Sequence, residues 1–495
     1  VHRFLAILTL GLIAALPARV PAESLDDFIV REMPGSGAPG VAYAVVADGR
    51  VTSVGAHGVV RLGDDRKVTP DTPFLTGSIS KSFTALAVMQ LVEAGTIDLD
   101  ARLSRYLDGF AGRPAGAVTV RQLLSHTSGF STFQGNASHA DITHGTDELA
   151  RRVDRLAEVT PAHRPGQRWE YSNTNYEILG RLVEVVSGRE YQSYVATDIL
   201  EPIGMTHSFV ADGEIHESMA TGHRPWFGSE RPLPDNRTHR GTAPQGGIVA
   251  SATDLALYMN VMMNGEDDVL SADGKALMMR PSDEASPFYG FGWFVDPGAG
   301  RVWHSGASPG FESDATMIPA AKKGVVVLVN GGSGMGFGET SRLRNGITAM
   351  TLGLDDPGEG SRWQQKAVFI GLVLLPLLYL LSMIWAWLHR AELRAKAGAS
   401  GLFSLWFPVL TTLVAAWVIL SLAPRLIGSP LGTIRLFQPD VGLVLIASAV
   451  TGVLWAVLRL GVAYTGRTGA PDGRPGTPVS SRRAASEAGT GRDSR

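Results

Sequence analysis

The sequence predicts an α+β fold, one antiparallel sheet assembled from distant segments around a helical insertion, followed by three membrane-spanning helices. Three observations carry this. Strand patterns stand near both ends of residues 23–352, helical patterns fill the interval between them, and three long uncharged apolar runs come after.

The elements follow in chain order. Residues 1–22 read as a secretory signal, with Val1-His2-Arg3, an apolar stretch, and the small residues Val20-Pro21-Ala22 at the expected cleavage point. Residues 41–47 and 51–56 flank Asp48-Gly49, a hairpin signal because both turn positions of a tight hairpin need positive φ. Helical patterns follow at 78–94 (amphipathic, closed by Gly95), 120–124, 175–187 and 253–263. Ser251 and Asp254 stand three apart at the start of the last. Strand patterns return at 301–304, 313–318 and 324–330, the last with the run Val325-Val326-Val327-Leu328-Val329. A linker is expected over 353–366, with Asp355, Asp356 and Pro357, and a Gly-, Ser-, Arg- and Pro-rich cytoplasmic tail over 465–495 is expected to be disordered.

The three apolar runs, 367–388, 402–423 and 441–460, have no charged residue before Arg459. At ~1.5 Å rise per residue the first two cover the ~30 Å hydrocarbon layer, and the third, uncharged to Leu458, is marginal. If residues 23–352 are exported, Arg390, Arg394 and Lys396 fall on the inner side with the tail arginines, as the positive-inside rule requires. No Asp, Glu, Lys or His lies within the runs, which suits an anchor in the lipid bilayer better than a transporter. The spans also offer a surface for a homodimer.

Composition excludes several function classes. Forty-four basic against forty-seven acidic residues leave no excess to hold nucleic acid. The absence of cysteine removes disulfides, thiolate metal sites and a cysteine nucleophile. No helical His-x-x-x-His pair stands with a carboxylate, so neither metal nor cofactor is expected.

Three segments can carry chemistry. In Ser78-Ile79-Ser80-Lys81 a three-residue step puts a hydroxyl and an amine on one helix face, and a lysine of lowered pKa can take the serine proton. With only seven lysines this is the single Ser-x-x-Lys match, yet a capping serine beside a solvated lysine would look the same. Tyr171-Ser172-Asn173 can bring a phenol relay and an orienting amide to that pair; Tyr258-Met259-Asn260 has the same spacing but reads as helix packing. His304-Ser305-Gly306 ends a strand, where a following backbone N–H can face an oxyanion and Gly306 can let a substrate backbone lie alongside. His239-Arg240-Gly241 is a rival that spacing alone does not separate from it.

Taken together the segments resemble the serine β-lactamase and D-alanyl-D-alanine peptidase superfamily, in its class C-like, peptidase S12 branch. The resemblance includes Pro39-Gly40-Val41-Ala42, Leu123-Leu124-Ser125-His126-Thr127-Ser128-Gly129, Pro165-Gly166 and Gly246-Gly247-Ile248, in order through residues 25–350. It implies Ser78 as acylated nucleophile and Lys81 and Tyr171 as shared base and acid. It also implies Asn173, His304, Ser305 and Gly306 as substrate-binding, and the N–H groups of Ser78 and Ala307 as the oxyanion hole. His126 is expected to be structural. Family β-lactamases carry lysine where this chain has His304, which turns the expectation from penicillin hydrolysis towards peptides or esters. The layout is similar to membrane-anchored peptidases that activate nonribosomal peptide prodrugs, such as the colibactin-maturation peptidase.

The expected activity is therefore an extracytoplasmic, membrane-anchored serine hydrolase acting on a small peptide or acyl-amide with a D-amino acid. Carboxylesterase or β-lactamase activity of the same fold is the alternative. A non-catalytic penicillin- or peptide-binding sensor or scaffold is the alternative of another class.

Overall fold

The computed structural model describes residues 23–140, 145–355 and 361–465. The expected signal, and all of the expected tail beyond Thr465, lie outside the described residues.

Six strands form the main sheet: β1 (Gly40–Ala47), β2 (Arg50–Gly58), β3 (Phe294–Asp296), β4 (Arg301–Ser308), β5 (Phe311–Ile318) and β6 (Lys323–Val329). Their spatial order is β2-β1-β6-β5-β4-β3, antiparallel throughout, so the first and last strands of the domain are neighbours at its centre. The hairpin turn falls on Asp48 and Gly49 with φ of 51° and 72°, the conformation that the Asp-Gly pair favours. β6 is buried on both faces, which is why its valine run does not alternate with polar residues. Val325, Val327 and Val329 meet α1 (Leu25–Ser36) and the C-terminal helix of the domain, Ser341–Leu352. Val326 and Leu328 face the larger core that holds α2 (Ser80–Glu93).

Helix α1 has no counterpart among the predicted elements. It is capped by Ser24, carries Pro34 within its last turn, and seats the Phe28 ring over Gly346, where a Cβ would come within 2.0 Å of the ring. The expected amphipathic helix 78–94 is corrected in two respects. Its first turn is a separate 3₁₀ turn, Gly77–Ile79, and α2 is buried from Ser80 to Met89 without an exposed stripe. α2 lies in the middle of the core, between the sheet and the helical part.

Three helices long and apolar enough to cross a membrane follow: Trp363–Leu388, Gly398–Leu426 and Pro439–Tyr464. Each outruns its predicted span, and the first begins within the expected linker. The third packs against both others. Between the second and third, a short helix, Leu431–Phe437, folds back onto the sheet-and-helix domain.

Candidate active site

Ser78 stands where the chain turns from a two-residue strand, Phe74–Leu75, into α2. Its approach is set by backbone: Thr76 donates its hydroxyl to the Ile248 carbonyl at 2.8 Å, and Ile248 N–H donates to Ser80 Oγ at 2.8 Å. One turn on, Lys81 is fully buried. Its Nζ contacts Ser78 Oγ at 2.9 Å, Asn173 Oδ1 at 2.8 Å and the Gln245 carbonyl at 2.7 Å. Burial drives the Lys81 pKa well below the lysine range, against the opposing field of Glu177 beneath it. A neutral amine with two acceptors for its protons, the amide oxygen and the carbonyl, has its lone pair left for the Ser78 proton.

Tyr171 lies across the pair. It shares the cleft with Ser78, and its ring centre is 4.9 Å from Lys81 Nζ. Burial pushes the phenol above its ordinary range, with Ser78 beside it pulling the other way, so the group is a proton donor at neutral pH. His126 fixes this ring from behind. The two ring centres are 4.3 Å apart, and His126 Nδ1 accepts from Ser172 N–H at 3.1 Å. His126 is buried and held neutral by that burial, so its part here is structural.

Strand β4 runs beside the serine turn because two glycines permit it. A Cβ on Gly306 would stand 1.9 Å from the Thr76 carbonyl oxygen, and one on Gly77 (φ +56°) 2.6 Å from Ala307 N. Ser313 Oγ clamps the same carbonyl at 2.7 Å. The packing thus brings Ala307 N–H beside the turn that carries Ser78, the arrangement an oxyanion hole needs. It also corrects the reason for Gly306: the residue lines the cleft, but its missing side chain makes room for Thr76 rather than for a substrate backbone.

Two expected substrate contacts are otherwise engaged. His304 is buried in the wall, its Nδ1 2.6 Å from the Ser305 carbonyl and its Nε2 3.2 Å from the Tyr289 hydroxyl. Burial takes its pKa to about 3, so it offers neither a charge nor a spare donor to a carboxylate. Asn173 gives Oδ1 to Lys81, while its Nδ2 meets Asn136 Oδ1 and His139 Nε2, each at 3.0 Å. Its amide holds the lysine. Ser305 and Ala307 are exposed along β4 and line the cleft.

The cleft, about 470 Å³, runs from Ser78 and Tyr171 to Glu312, Ser333 and Arg344. Arg344 is committed to two carboxylates, Glu312 at 2.8 Å and Asp314. The rival segments lie elsewhere. Gly241 packs against Arg152, and Tyr258 is stacked between Phe83 and Trp293. Sequence reasoning did not find Gln245, Asn136 or His139. Gln245 acts through its carbonyl, which no side chain signals, and the other two reach Asn173 by tertiary packing alone.

This fold is that of the serine β-lactamase and D-alanyl-D-alanine peptidase superfamily. The chain belongs to the Beta-lactamase family, whose pattern it matches over residues 25–348. It is 33% identical over 325 residues to Penicillin-binding protein 4 of Amycolatopsis lactamdurans, covering 60% of this chain and 82% of that one. Among solved structures it is similar to the octameric penicillin-binding protein homologue from Pyrococcus abyssi (29% identity, TM-score 0.59, 67% of this chain and 77% of that one). A class C β-lactamase shares the fold at 21% identity, TM-score 0.55, over 68% of this chain and 96% of its own.

Proposed function

We propose that the protein is a membrane-anchored serine hydrolase that acylates Ser78 and cleaves small amides bearing a D-amino acid, as a D-alanyl-D-alanine carboxypeptidase, a D-aminopeptidase or a peptidase of N-acyl-D-amino-acid prodrugs. The observation that carries the reading is the buried Lys81 amine 2.9 Å from Ser78 Oγ, with its protons directed at Asn173 and Gln245. Ser78 Oγ attacks the substrate carbonyl as its proton passes to Lys81. The Ser78 and Ala307 N–H groups hold the oxyanion, and Tyr171, which lines the cleft beside Ser78, relays a proton to the departing nitrogen. Water then reverses the sequence at the acyl ester.

Neutral His304 and the doubly paired Arg344 leave no fixed cation free for a penicillin carboxylate among the described residues that line the cleft. That supports peptide amides, or esters as the alternative, over β-lactam hydrolysis. Membrane orientation has its own support. The segment between the second and third apolar helices bonds to the catalytic domain, which supports one side of the bilayer for both. Arg390, Arg394 and Lys396 would then fall on the other side, which the positive-inside rule favours as the cytoplasmic one.

The test is labelling of the full chain by a fluorophosphonate, lost in Ser78→Ala, followed by turnover of D-amino-acid amides against nitrophenyl esters. Turnover of esters alone would select the esterase reading. A stable adduct with no turnover of either would select the sensor or scaffold, and a chain that no acylating probe labels would end the hydrolase reading.

A further inference from the structure

We propose that residues 427–438, the segment between the second and third apolar helices, are part of the active site. They position Asn173, and through it Lys81, and they tie the two walls of the cleft together. The inference rests on the reading of Ser78 and Lys81 as an acylating pair.

The links are short and buried or half-buried. Thr433 donates its hydroxyl to the Asn136 carbonyl at 2.6 Å, and Asn136 Nδ2 donates to the Gly428 carbonyl at 2.8 Å. Asn136 Oδ1 then receives Asn173 Nδ2 at 3.0 Å, and Asn173 Oδ1 receives Lys81 Nζ at 2.8 Å. Beside this chain the Phe437 ring meets the His139 ring edge-on at 5.3 Å, and His139 Nε2 is the second partner of Asn173 Nδ2. Thr433 and Asn173 are 4% and 5% exposed, so water does not stand in for a lost partner.

The same segment reaches the opposite wall. Gln438 Nε2 donates to the Ser333 carbonyl at 3.1 Å, and Ser333 lines the cleft while donating its N–H and hydroxyl to Glu312 at 2.7 and 3.0 Å. Arg224 adds a bond to the Leu436 carbonyl at 3.1 Å. A segment serving only to join two anchors needs none of these contacts. One that spans the helical wall and the sheet wall limits how far the two can part, and a catalytic lysine tolerates little movement of its acceptors.

The experiment uses the full chain in lipid nanodiscs and compares Thr433→Val, which keeps the shape and loses the donor, with Thr433→Ser, which keeps the donor. Three readouts are taken: the rate of fluorophosphonate labelling, kcat and KM for a nitrophenyl ester, and hydrogen exchange of peptides covering 131–137 and 171–177. Thr433→Val should lower kcat and the labelling rate by about tenfold with KM within twofold. It should also raise exchange in both peptides, and Thr433→Ser should restore all three. Phe437→Leu is the second variant, expected to give a smaller loss in the same direction, and it decides the matter if Thr433→Val does not fold.

Unchanged kcat and exchange in the folded variants, or a serine variant as impaired as the valine one, would overturn the positioning role. So would raised exchange with unchanged rates. If the wild type is neither labelled nor active, the acylation reading falls, and the exchange data alone then decide whether the segment orders the Asn173 region.

Discussion

Lys81 Nζ lies 4.9 Å from the centre of the Tyr171 ring and 2.9 Å from Ser78 Oγ, so the amine that touches the serine also sits over the face of the phenol. The face of the ring is negative and favours whatever positive charge Lys81 takes on during proton transfer, while burial opposes a resting ammonium. Burial thus favours the neutral amine, and the ring face favours the charge that proton transfer would place on it.

Replacing Lys81 by methionine keeps the stem and removes the base. Acylation of Ser78 should fall by about 10²–10⁴-fold, measured as the rate of fluorophosphonate labelling, with the thermal midpoint equal to or above that of the wild type because an amine leaves the core.

The pH profile follows from the same shift. Only the neutral amine accepts the serine proton, so kcat/KM should fall as pH drops through the lowered Lys81 pKa and stay level above it. His304, at about 3, should add no inflection between pH 5 and 9, and a profile unchanged in His304→Asn checks that assignment.

Tyr171→Phe retains the stack on His126 and removes only the hydroxyl. A loss of about 10²-fold in kcat for amides is expected, larger than for activated esters, whose leaving group needs no proton. Equal losses on both substrates would assign the phenol to serine activation instead.

Gly306→Ala tests the approach of β4. With 1.9 Å between the new Cβ and the Thr76 carbonyl, the strand must move away from the serine turn. A loss of about 1–3 kcal/mol in unfolding free energy is expected, together with slower labelling of Ser78.

Glu230 bears on stability. Burial, with Glu312 and Asp440 nearby, raises its carboxyl from about 4.5 to about 9. A raised folded-state value favours the folded chain most below pH 4.5, and that contribution is lost as pH climbs towards 9. Glu230→Gln should therefore raise the unfolding free energy at pH 8 by on the order of 1 kcal/mol, and leave it unchanged at pH 4.

Much of this was legible in the sequence wherever a local rule decided the structure. Asp48-Gly49 declared its hairpin through backbone preference, and the valine run of β6 declared a strand. Ser78 and Lys81 share a surface because helical spacing puts them there. What stayed hidden depends on partners remote in the chain. Pro34 and the charged residues of α1 obscure a helix that exists because Phe28 has Gly346 to sit on. His304 has the polarity of a ligand-binding group, and only the packing of Tyr289 and the Ser305 carbonyl turns it into wall.

The position of β6 has a consequence for how the molecule is made. The strand that β1 must pair with is the last of the sheet to be synthesised, so the N-terminal hairpin emerges long before its central neighbour exists. The first apolar helix opens at Trp363, soon after β6 ends at Val329. On the proposed topology, closure of the sheet and entry of that helix into the bilayer fall close together along the chain.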